Sequence, residues 1–121
     1  MRIQRKLVSG LILIVGVYVG KRRFNVKKGD YVVVRGDRSG VFAGYLKSMN
    51  KQEVILTKGR KLWHWKGAYT IENLAVDGTS NPSKCNFTVV VDEMVITDAI
   101  QVLPTTKKAE KVIKEVKEWK S

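Results

Sequence analysis

A chain of 121 residues with 44% apolar side chains is long enough for one hydrophobic core, too short for two, and too apolar to stay disordered. Its formal net charge of +12 points to an acidic partner, whether nucleic acid, an anionic membrane or an acidic protein surface. One cysteine and one histidine exclude an intrachain disulfide and argue against a structural zinc site. The charge is uneven: residues 1–66 hold 16 cations against 3 anions, residues 67–105 hold 1 against 5, and the tail from 106 holds 6 against 3.

The chain opens on an apolar run, Leu7 to Gly20, set between Arg5-Lys6 and Lys21-Arg22-Arg23. As a helix its 14 residues would reach about 21 Å, short of a bilayer core of about 30 Å. Val17-Tyr18-Val19 lacks the small residues of a signal-peptide cleavage site. Valine and isoleucine dominate and Gly10, Gly16 and Gly20 interrupt, so residues 1–27 read as an apolar and basic arm in strand form, with membrane association the lesser alternative. Residues 28–121 read as the domain proper.

Within it, Gly29-Asp30 marks a turn before a buried strand, YVVVR (31–35). GDRSG (36–40) is a turn cluster, VFAGYL (41–46) a strand, SMNKQ (48–52) a loop, EVILT (53–57) a strand, and RKLWHW (60–65) another after Lys58-Gly59. Short strands at spacings of about ten, joined by Gly, Asp, Asn and Ser, predict a small SH3-like barrel or sandwich. Gly44 inside a strand predicts a bend or bulge. Thr70 then caps a short internal helix that ends at Gly78 and turns Ile71, Leu74 and Ala75 inward. FTVVV (87–91) and EMVITDAIQVLP (93–104) read as strands, the second long or folded into a hairpin. Thr106 caps a C-terminal helix whose Ala109, Val112, Ile113 and Val116 form one face, to which Trp119 returns. The fold class is therefore mainly β, with one short internal helix and a C-terminal helix.

The stretch GRKLWHWKGA (59–68) concentrates the candidate chemistry. As a strand it places Trp63 and Trp65 on one face with Lys61, and Leu62, His64 and Lys66 on the other. Exposed indoles beside cations stack bases, whereas a small barrel uses indoles to fill its core or a subunit contact, and the second reading is preferred. Arg35, Arg38, Lys58, Arg60, Lys61, Trp63, Trp65 and Lys66 are the candidate contact residues for a polyanion or a neighbouring subunit. No residue pattern supplies a catalytic set. His64 has no nucleophile or orienting partner in sequence, Cys85 lacks an activating neighbour, Asp92-Glu93 sits at a turn, and GDRSG lacks the Gly-Lys-Ser/Thr ending of a phosphate loop. The expectation is a protein that is no enzyme and uses neither cofactor nor metal.

SGVFAGYL, EVILT, GRKLWHWKGA, NLAVDGTSNPSKCNF, VDEMVITDAIQVLP and the tail TTKKAEKVIKEVKEWK resemble, in that order, a family of small uncharacterised proteins over about residues 28–120. That family is encoded by tailed bacteriophages and prophages, many from Bacteroidota. The resemblance carries no activity to individual residues. It implies a non-enzymatic phage protein, expected to be an auxiliary or minor virion component that binds capsid or connector subunits as an oligomer. Its location would be the virion, and the host cytoplasm during infection. The alternative is a nucleic-acid-binding accessory protein acting in the infected cell through its basic face. Residues 1–27 depart from the family and resemble arms that add a strand to a neighbouring subunit.

Overall fold

The computed structural model describes residues 26–120. The arm expected over residues 1–27 therefore lies outside the described residues, apart from its last two. Six strands and two helices follow: β1 (Tyr31–Gly36), β2 (Val41–Asn50), β3 (Glu53–His64), α1 (Ile71–Asp77), β4 (Asn86–Phe87), β5 (Val91–Ile96), β6 (Ala99–Pro104) and α2 (Lys107–Glu115). They form one antiparallel sheet in the order β4-β3-β2-β1-β6, with β5 paired to the other half of the same β3 edge that holds β4. The domain is mainly β, as the sequence predicts. The sheet is open, however. β5 and β6 follow each other in the chain and sit at its two ends, and among the described residues no ladder joins them into a closed SH3-like barrel.

β1 explains why both faces of the sheet are apolar. Its four successive residues Tyr31, Val32, Val33 and Val34 are all buried, and alternation sends them to opposite faces. Tyr31 and Val33 join Ala43, Leu62, Phe87 and the inward residues of both helices. Val32 and Val34 join Leu46, Val54, Leu56, Ile96 and Ala99. Helices cover the first face. The second is covered by the sheet curling on itself, because Ile96 of β5 and Ala99 of β6 reach it from the two edges.

The bend in the sheet sits where Gly44 predicts one. Pairing of β2 with β3 slips between Ala43 and Tyr45, opposite Lys58, whose φ of 51° is in the left-handed region. A Cβ on Gly44 would lie 2.9 Å from the Cα of Gly59, so the two backbones meet there because residue 44 is glycine; a Cβ on Gly59 would instead press on the Met94 side chain at 3.0 Å. The loop expected at 48–52 is shorter than its composition suggests. β2 continues to Asn50, and Lys51-Gln52 alone make the turn, with Lys51 at φ 55°.

The helix caps form as read from sequence. The Thr70 hydroxyl accepts from the Asn73 N–H at 3.1 Å, and Thr106 accepts from Ala109 N–H at 3.0 Å. Ala109, Ile113 and Val116 are buried, but α2 ends at Glu115. Trp119 therefore lies beyond the helix, largely exposed, with its backbone N–H bonded to the Phe87 carbonyl at 2.8 Å. The strand expected over 87–91 is also interrupted: β4 ends at Phe87, β5 begins at Val91, and Thr88–Val90 are in neither.

Asp98, in the corner between β5 and β6, ties that corner to the β1–β2 turn. Its carboxylate accepts the Arg38 N–H at 2.8 Å, the Ser39 N–H at 3.0 Å and the Ser39 hydroxyl at 2.5 Å. These bonds, the Ser39 hydroxyl foremost, hold its pKa below the ordinary 3.8. A depressed carboxylate pKa stabilises above the unfolded value and loses that contribution as pH falls through the lower folded value. The Arg38 and Ser39 amides are therefore expected to keep their exchange protection down to about pH 4 and lose it below. Asp98→Asn should remove that acid dependence; an unchanged profile in the variant would show that another group controls the turn.

Candidate interaction surface

The eight contact candidates do not form one platform. Arg60 is 2% exposed and belongs to the interior. Its Nε donates to the Thr88 carbonyl at 2.9 Å, its Nη1 to the carbonyls of Ile113 at 3.0 Å and Val116 at 2.8 Å, and the guanidinium lies 5.5 Å from the centre of the Phe87 ring. Burial pulls its pKa below the usual value. The Ile113 and Val116 carbonyls are at the C-terminus of α2, where a helix leaves acceptors unpaired and favours a cation. Arg60 thus fastens α2 to the sheet and offers nothing to a polyanion. Alternation held the signal: Arg60 shares its strand face with the buried Leu62.

Two cations of the strands are matched by β5. Lys58 pairs with Asp92 at 2.9 Å, and Lys47 with Glu93 at 2.8 Å. Both pairs are exposed, so they add little stability. Their effect is on charge, because β5 lays its Asp92 and Glu93 along the most basic strand. Over residues 26–120 the chain holds 17 cations and 11 anions, so half of the +12 lies in residues 1–25. Arg35 is exposed near Glu72, whose carboxyl is held below its usual range first by a 2.9 Å bond from Gln101 and last by the Arg35 charge. Arg38 and Lys66 are exposed in turns.

The two tryptophans part company. The strand ends at His64, so alternation no longer governs Trp65, which packs against the helix-side core. Trp63 is 59% exposed, which corrects the reading of it as a core filler. Lys61 Nζ stands 5.3 Å from the Trp63 ring centre and 5.8 Å from that of Phe42. Gly40, at φ 113°, leaves room for this lysine; a Cβ there would come within 2.8 Å of Lys61 Cε. Lys61 and Trp63, with Phe42, are the part of the predicted platform that the fold brings together.

Sequence reading missed the apolar part of the surface. Val89, Val90 and Val91 are 50%, 45% and 38% exposed, consecutive, and next to Lys61 through the bond from Thr88 N–H to the Lys61 carbonyl at 2.9 Å. The run FTVVV reads as a strand in sequence, so only the break in pairing after Phe87 reveals its exposure.

Neither His64 nor Cys85 is set up as a reactive pair. His64 is exposed at the end of β3, whereas Cys85 is buried with Sγ 3.5 Å from the Asn81 carbonyl and 3.6 Å from that of Lys66. No group of three or more metal-binding side chains occurs among the described residues, and no helix there is long and apolar enough to cross a membrane.

Fold and surface together define a small antiparallel β domain with two helices on one face and an exposed apolar and aromatic edge. The chain belongs to the family called domain of unknown function DUF6948, which matches residues 29–113. Comparison with curated proteins and with solved structures finds no match.

Proposed function

We propose that the chain is a non-enzymatic bacteriophage protein, an auxiliary or minor component of the virion that docks on capsid or connector subunits. The observation that carries this reading is the exposed Val89-Val90-Val91 run. Three consecutive apolar residues facing water are disfavoured unless something covers them, and such patches mark contacts with other proteins. The resemblance to small proteins of tailed phages and prophages supplies the setting. Mass spectrometry of purified particles is the direct test: the protein should co-purify at a fixed ratio to the major capsid subunit, and Val90→Asp should release it. Absence from clean particles ends this reading.

A second reading, a nucleic-acid-binding accessory protein of the infected cell, is favoured by Trp63, because its exposed indole beside Lys61 is the geometry of a stacking site. The two readings separate in a salt series with single-stranded DNA. Docking through the valines predicts only weak binding whose logarithm falls with log salt at about −0.7 per phosphate neutralised, unchanged by Trp63→Ala. Stacking predicts a loss of about 1–3 kcal/mol in Trp63→Ala at every salt concentration, with the fold intact. The first outcome is expected.

A further inference from the structure

On the far side of the domain from α2's end, β6 has a partner along one edge only among the described residues. Its pairing runs to β1 from Val32↔Pro104 to Gly36↔Ala99, and among those residues the other edge carries one backbone bond, Ala99 N–H to the Gln52 carbonyl at 3.0 Å. Beside it lies a groove of about 420 Å³, lined by Val26, Met49, Lys51, Ala99, Ile100 and Val102 among others. Ile100 and Met49 are substantially exposed there. A free strand edge with apolar side chains beside it is a template for one more strand.

We propose that the occupant of this groove is the chain's own apolar segment, residues 7–20. Three observations on the chain converge on it. Val26, the first described residue, already lines the groove and packs on the core beneath, so the preceding chain leaves from the site itself. Five residues connect Gly20 to Val26, and the six Cα steps span at most about 20 Å, comparable with the length of a six-residue strand such as β6. The segment has ten apolar residues in fourteen and no charge, so it needs cover and brings no ion into the groove, where Lys51 is the single charged lining residue among the described residues. Attachment at Val26 makes docking intramolecular, which favours the segment's own domain over another copy. The inference is independent of the valine run and of the virion reading.

The test uses the full chain with the photo-reactive residue p-benzoylphenylalanine in place of Ile100. Irradiation should link position 100 to a peptide from residues 7–20, in a product of monomer mass. The same photo-reactive residue in place of Tyr69, almost fully exposed and away from the groove, should give no such link. Ile12→Asp with Ile14→Asp should abolish the link at position 100. A dimer-mass product would assign the groove to a second copy. No link to residues 7–20, an equal link from position 69, or a link that survives the two aspartates would each overturn the proposal, and so would its loss when phospholipid vesicles are added, since the segment would then prefer a membrane.

Discussion

Arg60→Ala is expected to lower folding stability by about 3 kcal/mol, because two buried carbonyls and one half-buried carbonyl each lose a donor at about 1 kcal/mol. Those carbonyls belong to Thr88, Ile113 and Val116, so the loss falls on the contact between α2 and the sheet. Arg60→Met should recover little, since it restores the aliphatic stem and none of the donors. Arg60→Lys should also fall short, because one ammonium cannot reproduce a planar fork that reaches both β3's neighbour and the helix end. Denaturant midpoints measure the difference. An effect under about 0.5 kcal/mol for the alanine variant would put Arg60 among ordinary surface residues and refute its fastening role.

Ile113→Ala should cost a similar amount, about 2–4 kcal/mol, by opening a cavity under α2. Ile113 is fully buried among Phe87, Leu62 and the α1 residues Leu74 and Ala75, and its own carbonyl accepts from Arg60. The two losses share one helix end, so the double variant should lose less than the sum of the singles. Strict additivity would mean that the apolar face and the guanidinium hold α2 independently. A single-variant effect below about 0.5 kcal/mol would place α2 off the sheet in solution.

Much of the fold was legible because local chemistry and burial agree. Tyr31-Val32-Val33-Val34 announces a strand buried on both faces, Thr70 and Thr106 cap the helices where expected, and Gly44 marks the bend. Legibility ended where tertiary partners decide. Nothing local distinguishes Val89 and Val90 from core valines; their exposure follows from β3 giving its edge to β4 and then to β5, which leaves both valines outside either ladder. Trp119 fits the helical spacing, yet the chain has left the helix by then and bonds to β4. The contact residues are dispersed for a related reason. Their charge suggested a common surface, but a cation buried against carbonyls, cations matched by β5, and free cations have the same letters in sequence. A closed barrel places Trp63 in its core or at a subunit contact; the open sheet makes no demand for the first, and the exposed indole leaves the second.

The position of β1 makes the domain mechanically asymmetric. Tension applied at Val26 arrives at a strand bonded along both edges, to β2 and to β6, and that load is shared by two ladders. Tension applied at Lys120 first meets the tail, held at Phe87 by a bond from Trp119 and a bridge to Glu118, and then the nine-residue α2, anchored by the Arg60 guanidinium and by its buried Ala109 and Ile113. The tail and helix would peel away in sequence while the sheet stays whole. A protein fixed to a larger structure through its C-terminus would yield early and by steps, and one fixed through β1 would hold until the sheet gave way at once.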